Sequence, residues 1–145
     1  MDWDGSNPAD PTELDGTQGL CPEGWYVPTD DDYKDLEMHL GMSQAQADGT
    51  AYRGTNEGDK LKDLEADWCN AETDCGISGF DALPAGYGWD GGTIYLEEDS
   101  GYWWTSTIAS GTFVWRRRLR NISSQVARND GAPASGFSAR CIMVQ

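Results

Sequence analysis

Four cysteines are the feature that most limits how this chain can fold. Cys21, Cys69, Cys75 and Cys141 stand in a chain of 145 residues that also has seven tryptophans. An even number of cysteines in a small domain favours disulfides and an oxidising compartment, although four cysteines allow three pairings. Cys69 and Cys75 enclose only five residues and suit a local loop closure. Cys21 with Cys141 would then join the two ends of the domain and stabilise it by about 4–5 kcal/mol.

A zinc site is the competing interpretation of the same cysteines. Such a site needs paired Cys-x-x-Cys or mixed Cys and His spacing, and the sequence contains neither. We therefore expect two disulfides, no resident metal ion, and a protein that is secreted or displayed on the cell surface.

Length and composition predict one domain over residues 1–145, with an irregular segment at residues 1–20. A chain of 145 residues has the ordinary size of a single domain. Its hydrophobic fraction of 38% and aromatic fraction of 11% are enough to fill a core. No apolar run is long enough to span a bilayer, so we expect no membrane insertion.

Charge is unevenly distributed along the chain. The formal net charge of −15 argues against an ordinary nucleic-acid-binding protein, because nucleic acid is itself a polyanion. Residues 1–99 hold 24 of the 25 acidic residues and four basic ones, a net of −20, whereas residues 100–145 hold six arginines and one acid, a net of +5. Two explanations stay open: the basic part packs against the acidic part, or the arginines face a ligand.

The first part of the chain carries helical patterns. Thr29 is placed to cap a helix in which Tyr33, Leu36 and Leu40 recur at helical spacing, and Gly41 is placed to end it.

Weaker signals follow this helix. A short second helix is predicted over residues 44–48 and a loop over 49–59. Helical spacing returns at Leu61, Leu64 and Trp68.

Short strands replace the helical pattern from residue 93 onward. Residues 76–92 are rich in glycine and predict a long structured loop across the core. The predicted strands cover residues 93–96, 101–107, 112–122, 124–128 and 137–144. Helices followed by strands predict an α+β fold, with two short helices packed on small antiparallel sheets.

Strand alternation separates the arginines of the longest predicted strand. Trp115, Arg117 and Leu119, with Phe113, share one face, which we expect to be buried with Arg117 paired to an acid. The opposite face is exposed. The predicted core consists of Trp25, Trp68, Phe80, Trp103, Trp115, Leu119 and Phe137.

Five motifs in order carry a resemblance to a known family. They are Cys21-Pro-x-Gly-Trp-x-Val-Pro-Thr, Gly79-Phe-x-Ala-Leu-Pro-x-Gly-Tyr, Gly101-Tyr-Trp-Trp-x-Ser-Thr, Trp115-Arg-Arg and Gly136-Phe-Ser-x-Arg-Cys. Together they resemble the Fibrobacter succinogenes major paralogous domain over about residues 20 to 142. The family usually has further strands before the first motif, whereas only about 20 residues precede it here. The resemblance implies a C-type-lectin-like fold and a non-enzymatic ligand-binding module on an exported protein.

A narrower resemblance concerns the last third of the chain. C-type-lectin folds also carry the hypervariable segment of variable proteins from diversity-generating retroelements, in which fixed core residues alternate with exchangeable outward ones. The segment from Trp115 to Gly136 is similar in this respect. The resemblance and the alternation together give these candidate ligand-binding residues: Trp104, Arg116, Arg118, Arg120, Ile122, Ser123, Gln125, Ala127, Asn129, Asp130 and Ser135.

The expected partner is a protein or glycan ligand on another cell or surface. Arg118 and Arg120 would donate to carboxylates of that partner, and Ile122 would supply apolar contact. A fixed carbohydrate- or protein-binding surface module, without diversification, is the alternative. The sequence leaves the oligomeric state open.

Calcium is the cofactor to consider, because many lectins of this fold bind sugar through it. Asn129 and Asp130 are a possible pair of oxygen ligands, but Arg128 stands where such lectins carry tryptophan. The acidic runs 30–32 and 97–99 do not match a calcium-binding loop and are interpreted as a helix start and a solvated turn. We expect no cofactor.

An enzyme is the rival class of function. Formylglycine-generating enzymes have a related fold and use reactive cysteines, but here Cys21 and Cys141 have the positions of structural residues. The chain has no Gly-x-Ser-x-Gly motif, P-loop or His-Glu-x-x-His motif. We expect no catalytic residues, and a count of free thiols would separate the two classes.

Overall fold

A four-stranded antiparallel sheet forms the centre of the molecule. The computed structural model describes residues 20–70, 74–89 and 91–144. In these ranges three short helices precede the long strands, which confirms the predicted α+β class and adds one helix to the expected two. The elements in chain order are β1 (Trp25–Tyr26), α1 (Asp30–Leu40), α2 (Gln44–Asp48), β2 (Ala51–Arg53), α3 (Glu57–Leu61), β3 (Tyr87–Trp89), β4 (Thr93–Tyr95), β5 (Ser100–Ser110), β6 (Phe113–Arg120), β7 (Ser123–Gly131) and β8 (Ile142–Met143).

Helix α1 forms where the sequence predicts it. The Thr29 side chain accepts a hydrogen bond from the backbone N–H of Asp32, and the Asp32 carboxylate accepts one from the backbone N–H of Thr29. This reciprocal capping satisfies two donors that the first turn would otherwise leave open. Gly41 ends the helix at a φ of 133°, a conformation that side chains disfavour.

The central sheet has the strand order β2-β7-β6-β5, and all its pairs are antiparallel. Strand β6 lies between β5 and β7, with Arg117 opposite Trp103 on one side and Arg128 on the other. Two further pairs, β1 with β8 and β3 with β4, form separate two-stranded sheets. Within the described ranges, no helix combines the length and apolarity needed to cross a membrane.

Both disulfides form as predicted. Cys21 and Cys141 are bonded with their Cα atoms 5.7 Å apart, and Cys69 and Cys75 with theirs 6.1 Å apart. The first bond closes a sequence separation of 120 residues beside the β1–β8 pair, so it fixes the two ends of the domain to each other. The four cysteines leave no free thiol.

The core lies between α1, α3 and the face of the central sheet that carries Trp103, Leu119 and Val126. Trp68, Trp103 and Leu119 are buried as predicted, and Phe80 packs against them partly buried. The members of the buried cluster are Tyr33, Met42, Leu61, Trp68, Ala82, Trp103, Leu119 and Val126.

Several members of the predicted core are less buried than expected. Trp25 is 42% exposed, because it belongs to a two-stranded sheet at the edge of the molecule. Trp115 and Phe137 are only partly buried. Phe113 is exposed at the start of β6, where the pairing with β5 is irregular, so the alternation does not hold at that end.

Residues 49–68 differ from the prediction. The expected loop over 49–59 contains β2 and most of α3, and the helical spacing that starts at Leu61 continues only into a turn in which Leu64 is exposed. Helix α3 buries Glu57, Gly58, Asp59 and Leu61. Hydrophobic periodicity does not reveal a helix in which most of the buried residues are polar or glycine.

The strand predictions hold best in the middle of the last third. Strands β5, β6 and β7 form close to their predicted ranges, with β7 extended to Gly131. The predicted strand over 137–144 is reduced to β8 and one isolated bridge at Ser138. The predicted loop over 76–92 contains β3, which pairs with β4.

Candidate functional site

Successive arginines of β6 leave the strand on opposite faces. We call the face that carries Arg117 and Leu119 the inner face, and the face that carries Arg116 and Arg118 the outer face. The inner-face pair is buried, whereas the outer-face pair is only partly buried. This agrees with the predicted alternation and places two arginines where a ligand can reach them.

The inner face holds a buried ion network. Arg117 donates from Nε to Glu37 Oε1 at 2.6 Å and from Nη1 to Asp30 Oδ1 at 2.7 Å. Arg128 donates from Nη2 to Asp30 Oδ2 at 2.7 Å, and Arg53 pairs with Glu37. These bonds join α1 to β2, β6 and β7 and confirm the prediction that Arg117 pairs with an acid.

The network controls the charge state of its carboxylate. Burial by itself would raise the pKa of Asp30, but the hydrogen bonds and charges of Arg128 and Arg117 outweigh it and lower the pKa to about 2. Burial lowers the pKa of Arg53 to about 10, although Glu37 opposes the shift. Asp30 and Arg53 are therefore both charged at neutral pH.

The outer face holds a different arrangement around one tyrosine. The guanidinium carbons of Arg116 and Arg118 lie 5.1 and 5.0 Å from the ring centroid of Tyr102. Arg116 Nε donates to the carbonyl of Asp130 at 3.1 Å, and Arg118 Nη2 donates to Ser100 Oγ at 3.2 Å. Neither guanidinium forms an ion pair with a carboxylate of residues 20–70, 74–89 or 91–144.

An open cleft of about 570 Å³ lies over this arrangement. The outer face of β5 and β6 forms its floor, the β3–β4 pair forms one wall, and the chain from Asp130 to Phe137 forms the other. Its lining consists of Tyr87, Trp89, Tyr95, Leu96, Tyr102, Arg116, Arg118, Asp130, Gly131, Ala132, Ser135 and Phe137.

Aromatic rings connect the floor of the cleft to its walls. The Tyr102 ring stacks on Phe137 with centroids 5.3 Å apart and meets the Tyr87 ring edge-on at 5.2 Å. Tyr87 in turn stacks on Tyr95 at 5.4 Å. Tyr95 is 45% exposed and Trp89 is 43% exposed, so both present ring surface to a ligand.

The floor of the cleft is cationic at neutral pH. Burial raises the pKa of Tyr102, against the opposing charges of Arg118 and Arg116, so its hydroxyl stays neutral. Burial is the main cause that lowers the pKa of Arg116, and the charge of Arg118 adds to it. Arginine has so high an ordinary pKa that it keeps its charge.

Glycines let the walls approach the floor. Gly88 and Gly136 exchange two backbone hydrogen bonds of 2.7 and 2.8 Å, which hold β3 against the chain near Phe137. A Cβ atom on Gly131 would lie 2.6 Å from the Phe137 ring. Only glycine fits at this position without displacing the ring.

The structure brings together four of the predicted ligand-binding residues. Arg116, Arg118, Asp130 and Ser135 line the cleft. Trp104 contacts the Phe137 ring at 4.4 Å, behind the cleft wall, and Asn129 lies beside Arg116 on β7.

The other predicted residues lie outside the cleft. Arg120 is positioned over the Tyr52 ring, 5.9 Å from its centroid, on the same face as Arg118. Ile122 is exposed at the turn between β6 and β7, and Gln125 donates to the carbonyl of Gly54. Ser123 starts β7 at the same end of the sheet.

Ala127 corrects the predicted binding surface. Its side chain is only 1% exposed, so it is not available to a ligand. It lies in register between Arg118 on β6 and Tyr52 on β2, and these two larger side chains flank it. Strand alternation correctly predicts the face of the sheet on which Ala127 lies. It does not predict that the side chain is buried.

Sequence reasoning missed the aromatic walls. The predicted site does not include the wall residues Tyr87, Trp89, Tyr95 and Leu96, nor Tyr102 of the floor. A local signal for the wall exists, because Asp90-Gly91 between two short aromatic runs is typical of a β-hairpin.

Across the described ranges, no three His, Cys, Asp or Glu residues are grouped closely enough to hold a metal ion. Asp30, which the sequence suggests as part of a helix start, does begin α1, and its carboxylate is occupied by Arg117 and Arg128.

Most of the chain matches the model of a known protein family. The model of the Fibrobacter succinogenes major domain family matches residues 9–143, which include every element described above. No curated protein and no solved structure matches the chain.

Proposed function

Because the chain belongs to the Fibrobacter succinogenes major domain family, we propose that it is a non-enzymatic ligand-binding module whose ligand occupies the cleft over Tyr102. The module would be exported and would act in recognition or adhesion at a surface. The C-type-lectin-like fold is part of this proposal, supported by the α+β organisation and by the disulfide that joins the two ends of the domain.

One observation carries the proposal. Arg116 and Arg118 share one tyrosine ring inside a cleft, with no carboxylate partner among the described residues. The buried arginines on the inner face, in contrast, bond to Asp30 and Glu37. A concave, largely aromatic site with a few convergent polar groups is the usual form of a ligand-binding pocket.

The state of the cysteines supports binding over thiol chemistry. All four are consumed in disulfides, so the chain offers no thiolate nucleophile. The same disulfides support an oxidising location such as the cell exterior.

A diversified surface is a second candidate function. The observation in its favour is the division of labour across β6 and β7, where buried Leu119 and Val126 hold the inner face while outer side chains such as Arg118, Ile122 and Asn129 are accessible. Outer positions of this kind can change without disturbing the core.

Sequencing this locus in many individual cells of one population tests the second candidate. Diversification predicts substitutions at residues 118, 122 and 129 and an unchanged Trp115, Leu119 and Phe137. Because Ala127 is buried, it should vary only among small residues. A uniform segment would remove this candidate and leave the fixed binding module.

Array binding tests the first proposal. The intact, disulfide-bonded domain would be applied to arrays of glycans and of synthetic peptides, alongside the variants Tyr95→Ser and Arg118→Gln. Both substitutions change the cleft without touching the buried network, so we expect the bound probes to be lost. Arg120→Gln is the matched control, because Arg120 lies on the same strand and face but outside the cleft.

The proposal fails if the arrays show no binding that depends on the cleft. Binding that survives Tyr95→Ser and Arg118→Gln but disappears with Arg120→Gln would place the site elsewhere on the sheet.

A further inference from the structure

We propose that the cleft takes an acidic glycan, a sugar ring that carries a carboxylate or a sulfate group. The inference rests on the proposed function and adds the chemical class of the ligand. Its three supports are the unused donors of the two arginines, the exposed aromatic walls, and the size of the cleft.

The arginines supply the anion-binding part. Each guanidinium has five N–H donors, and the structure shows Arg116 and Arg118 each making one side-chain hydrogen bond. Arg116 Nη1 and Arg118 Nε are shielded from solvent, so a ligand in the cleft cannot reach them. The donors within its reach are Arg116 Nη2 and Arg118 Nη1, which form no hydrogen bond to a described residue. Arginine binds carboxylate and other oxyanions through paired, charge-assisted hydrogen bonds.

The surrounding charge is compatible with such an anion. Residues 100–145 carry a net charge of +5 although the whole chain carries −15. At physiological ionic strength charges more than about 8 Å apart are largely screened, so the cationic floor dominates at contact distance. Asp130 is the one acidic residue in the lining. Its backbone carbonyl accepts a hydrogen bond from Arg116 Nε.

The aromatic walls favour a sugar over a simple inorganic anion as the ligand. Tyr95 and Trp89 each leave almost half of their surface exposed beside the arginines. An aromatic ring has an electron-rich face that attracts the slightly positive C–H groups on one side of a sugar ring. A ligand with an anionic group and a C–H face uses both parts of the cleft, whereas an inorganic ion uses only one.

The size of the cleft suits a small ligand such as a saccharide. Its volume of about 570 Å³ falls in the range of small-ligand sites. An acidic peptide is therefore the competing ligand, and the test includes it.

Calorimetric titration of the intact domain tests the inference. The probes are oligogalacturonate for the carboxylate, a sulfated heparin oligosaccharide for the sulfate, a neutral cello-oligosaccharide, oligoglutamate for the acidic peptide, and sodium sulfate for the free ion. We expect one acidic oligosaccharide to bind at least about tenfold more tightly than the other four probes. Which of the two binds identifies the anionic group.

The variants separate the two parts of the cleft. Arg118→Gln should weaken the binding of the acidic oligosaccharide by at least about tenfold, because the charge-assisted hydrogen bonds are lost. Tyr95→Ser should also weaken it, because the sugar ring loses its stacking surface. Arg120→Gln should bind as the wild type does.

Failure of the inference is distinguishable from failure of the proposed function. If the neutral oligosaccharide or oligoglutamate binds best and Arg118→Gln or Tyr95→Ser weakens it, the cleft is a binding site but its ligand is not an acidic glycan. Equal binding of sodium sulfate and the acidic oligosaccharides would also overturn the inference. If the binding of no probe depends on Arg118 or Tyr95, both the inference and the proposed function are wrong.

Discussion

Arg117 and Arg118 are neighbours on β6, and their side chains lie on opposite faces of the same sheet. Arg117 is buried and bonds to Asp30 and Glu37, which α1 supplies. Arg118 is partly exposed and lies over the ring of Tyr102 beside a cleft. The residue type is the same on both faces, so the difference comes from what each face packs against.

The two environments have different energetic consequences. On the inner face, two carboxylates compensate three buried guanidiniums, and removing one member leaves a charge without its partner. On the outer face, the guanidiniums are partly solvated and stack on aromatic rings, and no described carboxylate depends on them. We therefore assign stability to the inner face and recognition to the outer face.

Removing the charge of the Asp30 carboxylate should cause the largest loss of stability. Asp30→Asn keeps the shape of the side chain but leaves Arg117 and Arg128 without the charge that compensates them. We expect the free energy of unfolding to fall by about 3–5 kcal/mol, measured by urea denaturation with the disulfides intact. Asp35→Asn is the control, because Asp35 is exposed on the same helix, forms no ion pair with a described residue, and should change stability by less than about 0.5 kcal/mol.

Similar losses in the two variants would show that the inner network does not stabilise the fold. The assignment of stability to the inner face would then be wrong.

The second largest effect should come from acid, which should lower the free energy of unfolding by protonating Asp30 of the inner face. The folded pKa of Asp30 is about 2, below its ordinary value of 3.8, so the folded state binds this proton less tightly than the unfolded state does. The resulting contribution is complete above about pH 5 and is lost as the pH falls towards 2. We expect it to be about 2 kcal/mol.

The pH dependence of unfolding in the wild type and in Asp30→Asn measures this contribution. The wild type should lose about 2 kcal/mol more than the variant between pH 5 and pH 2. Parallel curves would contradict the assignment of the lowered pKa to the Asp30 carboxylate.

A substitution in the cleft wall should have a smaller effect on stability. In Gly131→Ala the new Cβ would lie 2.6 Å from the Phe137 ring and 3.2 Å from Arg116 Cδ, so both side chains must shift. We expect a loss of about 1–3 kcal/mol together with a change in the near-ultraviolet circular dichroism of the aromatic cluster.

Gly88→Ala is the control for this wall. A Cβ at Gly88 has its nearest neighbour, Gly136 Cα, at 3.7 Å, which is an ordinary contact. This variant should keep the wild-type spectrum. If it changes the spectrum as much as Gly131→Ala does, steric contact at Gly131 is not what positions Phe137.

Local features of the fold could be predicted from the sequence. The cap at Thr29 and the stop at Gly41 define α1 by interactions within a few residues. The disulfide between Cys69 and Cys75 follows from their short separation. The burial of Arg117 follows from alternation, which holds wherever a strand is regular.

Long-range partners could not be predicted in the same way. The pairing of Asp30 with Arg117 joins residues 87 positions apart, and nothing in either local sequence selects the other. Helix α3 does not show in the hydrophobic pattern, because Leu61 is the one apolar side chain among its buried residues.

The cleft, too, depends on long-range contacts that the local sequence does not predict. Arg116 and Arg118 were predicted from alternation, because they lie on one strand. The rings of Tyr87 and Phe137 reach Tyr102 from two other segments, and only the folded chain brings them together. Ala127 was placed on the correct face, but its burial depends on β2, a strand that the sequence did not predict.

Urea unfolding of Arg117→Gln and Arg118→Gln, side by side and with both disulfides intact, tests the division between the two faces most directly. The substitutions are chemically identical and adjacent in sequence. The account predicts a loss of about 3–5 kcal/mol for Arg117→Gln, because Glu37 and Asp30 lose a buried partner, and less than about 1 kcal/mol for Arg118→Gln. Equal losses, or a larger loss for Arg118→Gln, would contradict it.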